Sequence, residues 1–229
     1  MLDQGKPPAR SGRSWLLALD TATDQAGLAL FDGEQVAEMS WPGGRRQTTS
    51  VLPALEGMLA QLDVAVDDIG AVAVAAGPGS FTGLRVGLSL AKGLAITGDR
   101  ALVGVNTLDI AAAPYTEAGV PCVALVPAGR GRIVWSHYGN HGAPTAPINS
   151  TFEEFLVVLR NHAAAIVVGE LTTDQQARVA EVHGRVTSMM AHRRLGVLAR
   201  IGFDQWRSGQ VDDPATLEPL YLHGRPNPR

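Results

Sequence analysis

The chain has 229 residues, of which 45% are hydrophobic and only 5% aromatic, and its formal net charge is −3. This length holds one large domain or two small lobes, and an apolar share of mostly Ala, Val and Leu is typical of α/β proteins rather than all-β ones. The basic residues occur in short scattered pairs, which argues against strong independent binding to RNA. A single cysteine, Cys122, excludes a disulfide within the chain, and its apolar surroundings favour a buried thiol.

The ends of the chain and its longest apolar runs bear on its location. Each long apolar run is interrupted by Gly, Pro or a charge, so we expect no membrane segment. Residues 1–14 contain three basic side chains but no apolar core, which favours a flexible tail over a secretory signal. Residues 223–229 contain two prolines and are expected to form a second flexible tail. We therefore expect a cytoplasmic protein.

Residues 15–110 have the pattern of one sheet covered by helices. Short apolar runs separated by turn signals predict a β-hairpin and a third strand, and apolar residues at helical spacing follow. A continuous run of small apolar residues then predicts a strand buried on both faces. The predicted elements are strands at 15–19, 27–31, 35–41, 71–76 and 101–105, and helices at 49–62 and 82–97. This order predicts an α/β first lobe whose later strands are parallel.

Residues 111–222 show weaker patterns, which predict a second, smaller lobe. The last predicted helix is assigned to this lobe, although Gly196 and Gly202 weaken its pattern. The predicted elements are strands at 121–126, 132–138 and 164–168, and helices at 151–162 and 189–207.

A glycine-rich turn, Gly77-Pro78-Gly79-Ser80-Phe81-Thr82-Gly83, lies between a predicted strand and a predicted helix. Such a turn leaves backbone N–H groups at the positive end of a helix dipole, which suits a phosphate. Gly77 and Gly79 permit a close approach of the ligand, while Ser80 or Thr82 can cap the helix or donate to the phosphate. An ordinary strand-to-helix turn with a capping hydroxyl explains the segment equally well. The segment lacks the lysine of a Walker loop and the second glycine of a nucleophile elbow.

Asp20 and Thr21 stand at the end of the first predicted strand. In an open α/β sheet the strand ends share one crevice, so these residues and the glycine-rich turn are candidates for binding one nucleotide. The Asp20 carboxylate would then orient the Mg²⁺ of that nucleotide. An Asx turn with Thr23 is an equally good explanation of Asp20.

No catalytic set can be assembled from the remaining residues, so we predict no catalytic residue and no metal site. His137 and His141 have a spacing that would suit a metal on a helix, but Gly139 and Asn140 lie between them. An exposed turn is the favoured interpretation of this pair.

The two predicted helices of the first lobe, 49–62 and 82–97, also have a pattern of residues that could form a protein interface. Glycine and alanine recur every four residues on the second helix, so another helix could approach it closely, and the first helix has surplus leucines. Packing against the chain's own sheet and packing against another subunit both explain this pattern. The candidate interface residues are Leu52, Leu55, Leu59, Gly83, Gly87, Leu88 and Ala91.

Four segments in this order and spacing resemble the TsaB (YeaZ) family. They are Leu17–Thr23, Gly77–Gly87, Ala91–Ala95 and Gly104–Leu108. The resemblance extends from Trp15 to Ala112 and returns faintly at Glu218–Leu222. It implies an α/β, actin-like ATPase (ASKHA, ribonuclease H-like) fold with two lobes, of which the second is reduced.

The resemblance also implies a function. A member of this family is a non-catalytic subunit that dimerises with the catalytic paralogue TsaD and activates it in the synthesis of threonylcarbamoyladenosine in tRNA. A TsaE-type ATPase joins the complex. Family members pair through the two helices of the first lobe, here 49–62 and 82–97, and a homodimer through the same helices is an alternative. No cofactor is required, although ATP or ADP with Mg²⁺ could bind at or near the partner interface.

The chain departs from the catalytic paralogue at one motif and from typical members at three places, one of which is the sparse basic tail after Tyr221. The catalytic paralogue has Asn-His-x-x-x-His, whose histidines hold a metal, whereas here Asn106 is followed by Thr107 and has Ala111 at the second position. Gln47 stands where members often have His, and Pro127–Arg132 replaces a motif resembling Asp-Ala-Arg-x-Gly-Glu. The alternative functions are an independent actin-fold ATPase or kinase, or a glycoprotease-like metallopeptidase.

Overall fold

The computed structural model describes residues 15–43, 47–139, 142–162, 164–183 and 195–222. The predicted tails and His141 lie outside these residues. The strands are β1 (Trp15–Asp20), β2 (Gln25–Phe31), β3 (Val36–Pro42), β4 (Ile69–Gly77), β5 (Ala101–Asn106), β6 (Cys122–Pro127), β7 (Arg132–Tyr138), β8 (Ile148–Thr151) and β9 (Ile166–Gly169). The helices are α1 (Gln47–Leu62), α2 (Phe81–Gly98), α3 (Thr107–Thr116), α4 (Phe152–Leu159), α5 (Thr173–His183) and α6 (Leu195–Arg207).

The first sheet has five strands in the order β3-β2-β1-β4-β5. β1, β2 and β3 pair antiparallel, whereas β4 is parallel to both β1 and β5. The predicted hairpin and the predicted parallel strands are therefore confirmed. β1 and β4 lie inside the sheet and are buried almost throughout, which explains why their sequences are continuous apolar runs.

Helices cover both faces of the first sheet. α1 and α2 pack on one face, where Val51, Leu55 and Leu88 join the β1 side chains Leu17 and Leu19 in one core cluster. The opposite face is covered by α6, whose apolar residues Leu195, Leu198 and Ala199 contact Leu16 and Ala18 among others. Buried side chains therefore form a hydrophobic core on each face of this sheet.

The position of α6 corrects the assignment of the C-terminal helix to the second lobe. α6 packs across β1, β2, β4 and β5 of the first sheet. A Cβ atom on Gly202 would collide with Ala73 of β4, so this glycine allows the helix backbone to approach the strand closely. The residue that weakened the helix prediction is therefore the one that makes the packing possible.

The second sheet has four strands in the order β8-β7-β6-β9, and only the β6–β9 pair is parallel. α4 and α5 cover one face through a cluster that includes Phe155, Leu159 and Val179. α3 covers the other face of the second sheet. It also contacts β4 and β5 of the first sheet and the helix α6 that packs on that sheet. The predicted boundary at residue 110 thus falls inside a helix that joins the two sheets. None of the helices in the described part of the chain combines the length and apolar character needed to cross a bilayer.

Candidate functional site

The glycine-rich turn and the end of β1 meet in the structure, as their positions in the sequence predict. The backbone N–H of Ser80 donates to the carbonyl of Ala22 at 2.6 Å. The Thr21 hydroxyl donates to the carbonyl of Gly83 at 2.7 Å. These two bonds fasten the start of α2 to the segment that follows β1, so the candidate nucleotide-binding residues do lie together.

The close approach that the glycines permit is made by the chain itself. Gly77 has φ +110°, and a Cβ atom there would lie 2.9 Å from the carbonyl oxygen of Leu220. A Cβ atom on Gly79 would collide with the carbonyl of Ala22. The backbone of two other segments therefore occupies the space next to these glycines, which favours the ordinary strand-to-helix turn over a phosphate site.

Two of the backbone donors at the start of α2, the N–H groups of Ser80 and Gly83, are used within the chain as well. Ser80 is the N-cap, and its hydroxyl accepts from the N–H of Gly83 at 3.4 Å, as predicted for a capping residue. The N–H of Leu84 donates to the Ser80 carbonyl, and the Thr82 residue is exposed. The cavity beside this turn has a volume of about 100 Å³, whereas small-molecule sites occupy roughly 300 Å³ or more. The cavity beside the turn is therefore smaller than an ordinary small-molecule site.

Asp20 is 3% exposed, and its carboxylate accepts from the N–H of Ala22 at 2.9 Å. This is the Asx turn considered from the sequence, although it closes on Ala22 instead of Thr23. The Thr23 hydroxyl donates to the Glu170 carboxylate at 2.7 Å, just after the end of β9. The segment after β1 therefore connects the first sheet to the second.

Five of the seven candidate interface residues face the chain's own sheet. Leu55, Gly83, Gly87, Leu88 and Ala91 are all buried. A Cβ atom on Gly87 would collide with the Thr21 hydroxyl oxygen and would lie 3.6 Å from Val74. The row of small residues on α2, Gly83, Gly87 and Ala91, is therefore used in internal packing, which was the first of the two explanations considered from the sequence. Of the remaining two, Leu52 is 52% exposed and Leu59 is half-buried.

Other residues form the outer surface of α1 and α2. Phe81 is 50% exposed and Ile96 is 67% exposed. Gly57 and Gly93 are exposed, and no atom lies within 4 Å of where their Cβ atoms would stand. These residues were not among the interface residues predicted from the sequence, because that prediction for α2 was based on the small residues Gly83, Gly87 and Ala91. Helical periodicity places Ile96 and Gly93 on the opposite side of α2, which is the signal that could have identified them.

Thr107 and Ala111, the two positions that the resemblance aligns with histidines, lie in the first turns of α3. Asn106 is the N-cap, and its side-chain oxygen accepts from the N–H of Leu108 at 2.8 Å. Thr107 and Ala111 point into the core, and the Thr107 hydroxyl is buried without a hydrogen-bond partner among the described residues. Within those residues no group of three or more His, Cys, Asp or Glu side chains is placed to hold a metal.

His137 lies inside the strand predicted at 132–138 and is half-buried, so the interpretation of this residue as part of an exposed turn is wrong. It lies in β7, and its ring stacks on that of His162 with centroids 4.4 Å apart. The pKa of His162 is lowered by burial first and then by the nearby His137 and His183. Cys122 is fully buried, as predicted, and burial raises the pKa of its thiol to about 12.

A family model described as "TsaD: tRNA N6-adenosine threonylcarbamoyltransferase" matches residues 42–178, more than half of the chain. The chain is similar to the "tRNA threonylcarbamoyladenosine biosynthesis protein TsaB" of Escherichia coli (strain K12), with 34% identity over 125 residues, which are 54% of each protein. The Bacillus subtilis (strain 168) protein with the same description is 36% identical over 99 residues, 43% of each chain. The chain spans about half the length of the curated relatives it matches, or less.

Among solved structures, "YeaZ from Pseudomonas aeruginosa" superimposes with a TM-score of 0.74 over 91% of this chain and 100% of that chain. The sequence identity of this pair is 24%. The superposition shows a common fold.

Proposed function

Because the chain belongs to the TsaD family, and within it to the TsaB (YeaZ) group, we propose that it is a non-catalytic subunit in the synthesis of threonylcarbamoyladenosine in tRNA. In this proposal it binds and activates a TsaD-type catalytic subunit in the cytoplasm, and a TsaE-type ATPase joins the complex. The two sheets would be the two lobes of an actin-like ATPase (ASKHA, ribonuclease H-like) fold. The chain itself has no strong binding to tRNA.

The observation that carries the proposal is the outer face of α1 and α2. A helical glycine costs about 1 kcal/mol relative to alanine. The buried Gly87 has an internal reason for that cost, because no Cβ fits beside Thr21, but the exposed Gly93 has no atom near its Cβ position. The exposed Gly93, Leu52 and Ile96 thus form a surface with apolar side chains and a position without a side chain. Such a surface supports close packing of a partner helix.

The absence of catalysis in the isolated chain is supported by α3. Thr107 and Ala111 stand where the catalytic paralogue carries its two metal-binding histidines, and neither side chain can replace a histidine as a ligand of a catalytic metal. Any ATP or ADP with Mg²⁺ would bind at or near the partner interface, because the cavity at the glycine-rich turn is only about 100 Å³.

Association with the purified TsaD-type protein of the same organism tests the proposal. Ile96→Asp and Leu52→Asp would each place a charge in an apolar contact, so we expect Kd to rise at least about tenfold and threonylcarbamoyl transfer to tRNA to fall accordingly. Val157→Asp is the matched control, because Val157 is 66% exposed on α4 and lies outside the proposed interface. Failure of the wild type to associate with the TsaD-type protein would contradict the proposal.

Two further measurements separate the proposal from its alternatives. The isolated chain is expected to hydrolyse neither nucleotides nor peptides, and turnover that purifies with the chain would favour an independent ATPase, kinase or metallopeptidase. Light scattering with and without the TsaD-type protein distinguishes a homodimer from a heterodimer. A homodimer that persists when the partner is in excess would contradict the heterodimeric assignment of α1 and α2.

A further inference from the structure

A cavity of about 320 Å³ lies between α2 and the C-terminal segment 217–221. On the α2 side it is lined by Arg85, Ser89 and Lys92, and on the other side by Glu218 and Tyr221 among others. It is separate from the cavity at the glycine-rich turn. Its α2 side belongs to the same helix as the exposed Ile96.

Arg85 contacts both aromatic residues beside this cavity, Phe81 and Tyr221. The central carbon of its guanidinium lies 3.8 Å from the centroid of the Phe81 ring. Its Nε donates to the Tyr221 hydroxyl at 3.1 Å, and the Phe81 and Tyr221 rings are 5.1 Å apart. In the described part of the chain, neither Nη atom of Arg85 has a hydrogen-bond or ion-pair partner. A guanidinium fixed by its Nε and its face presents the remaining fork of donors that binds a carboxylate in a bidentate manner.

Lys92 adds a second positive charge on the same side of α2. It lies seven residues, or about 10 Å along the helix axis, beyond Arg85. Its ammonium group has no ion pair within the described residues, and the sequence Phe81–Gly98 contains no acidic residue. Glu218 is the acidic residue in the lining, so the two cations outnumber it.

We propose that this cavity receives an acidic segment of the partner protein, with one carboxylate bound to the Arg85 fork and a second acidic side chain near Lys92. The inference rests on the proposed function, because the cavity lies on the helix proposed to meet the catalytic subunit. Charge complementarity indicates the acidic partner. The exposed aromatic ring of Phe81 beside the cation is typical of a protein interface, in which aromatic residues and arginine are enriched.

The phosphate backbone of tRNA is the other anionic candidate for this cavity, because tRNA is the substrate of the proposed complex. RNA binding draws its affinity from the neutralisation of many phosphates. Two cations beside a carboxylate, on a chain of net charge −3, supply little of that. The structure therefore favours a protein carboxylate over RNA phosphates as the occupant.

Charge reversal in the full chain tests this inference against the TsaD-type protein. We expect Arg85→Glu to weaken binding at least about tenfold, since a fixed cation would become a repelling anion. Lys92→Glu removes no hydrogen bond or ion pair within the described residues, and it is expected to weaken binding about threefold or more. This second variant guards against a folding defect in the first. Wild-type binding is expected to weaken as salt rises from 50 to 300 mM, and the double variant is expected to lose this dependence.

Arg207→Glu is the matched control, because Arg207 also lies beside two aromatic rings, Phe203 and Trp206, but on α6. It is expected to bind within about twofold of wild type. Wild-type-like binding by Arg85→Glu and Lys92→Glu, with Ile96→Asp still defective, would overturn the inference and leave the proposed function standing. Loss of tRNA capture by the assembled complex, with partner affinity unchanged, would assign the cavity to phosphates and equally overturn it. No association of the wild type would overturn both.

Discussion

Gly87→Ala is the sharpest test of how the glycine-rich segment works. Gly87 lies in α2 against β1 and β4, and a Cβ atom there would collide with the hydroxyl oxygen of Thr21. That hydroxyl is buried and donates to the Gly83 carbonyl at 2.7 Å. One methyl group therefore cannot be added without displacing a buried hydrogen bond.

The expected magnitude follows from three contributions. Alanine at a helical position gains about 1 kcal/mol over glycine. Overpacking costs roughly 1–3 kcal/mol, and a buried hydroxyl deprived of its acceptor costs a further 1–3 kcal/mol. The sum is a net destabilisation of about 1 to 5 kcal/mol, centred near 3 kcal/mol. For a chain of 229 residues the central value lowers Tm by roughly 6–12 °C.

Chemical and thermal unfolding of four proteins, wild type, Gly87→Ala, Thr21→Ala and the double variant, provide the measurement. Thr21→Ala removes the colliding oxygen, and the Cβ of residue 21 is at 3.7 Å, an ordinary contact. Gly87→Ala should therefore destabilise wild type but be neutral or stabilising in the Thr21→Ala background, a coupling of about 2 kcal/mol or more. Gly93→Ala, with open space around it, should stabilise the isolated chain by about 1 kcal/mol. Additive effects, or a Gly87→Ala variant as stable as wild type, would refute the reasoning.

Three other predictions concern buried polar groups. Thr107→Val should stabilise the chain by about 1 kcal/mol in urea unfolding, because it removes a buried hydroxyl without a described partner; a loss of stability would show that the hydroxyl is bonded. Cys122, whose thiol pKa is about 12, should resist alkylation at pH 8 when folded and react on unfolding; fast reaction of the folded chain would contradict its burial. His162 has a pKa below its ordinary 6.5, so the unfolded chain takes up this proton first as pH falls, and the stability contributed by the neutral ring is lost below about pH 6.5. His162→Gln should flatten that pH dependence, and an unchanged slope would contradict it.

The element order through β5 could be predicted because it depends on local patterns, whereas the helix α3, which begins at Thr107, was not predicted. The apolar runs of β1 and β4 and the capping hydroxyl of Ser80 are all local signals. The place of α6 could not be predicted, because an apolar helical face does not specify which of two sheets it covers. Gly202 counts against a helix by propensity, yet its contact with Ala73 is what positions α6.

The candidate site shows a different limit of sequence reasoning. A glycine-rich turn before a helix indicates that something approaches the backbone closely, but it does not identify what approaches. Here the carbonyls of Ala22 and Leu220 do so, and Leu220 lies more than 130 residues from Gly77 in sequence. Its N–H also donates to the carbonyl of Ala76 at 2.8 Å. Only the tertiary structure brings that segment to the turn.

The glycines of the block with the strongest family resemblance therefore make internal contacts, whereas other residues of the same helix are exposed. Gly83 and Gly87 face β1 and β4, whereas Arg85, Lys92 and Ile96 are reachable from outside. A substitution at Gly87 perturbs the fold and so cannot report on partner binding alone. If the proposed interface is correct, Ile96→Asp should change Kd while leaving Tm within a few degrees of wild type, and Gly87→Ala should change Tm first. If Kd and Tm fell together in both variants, the outer face of α2 would have to contribute to the stability of the isolated chain, which its exposure argues against.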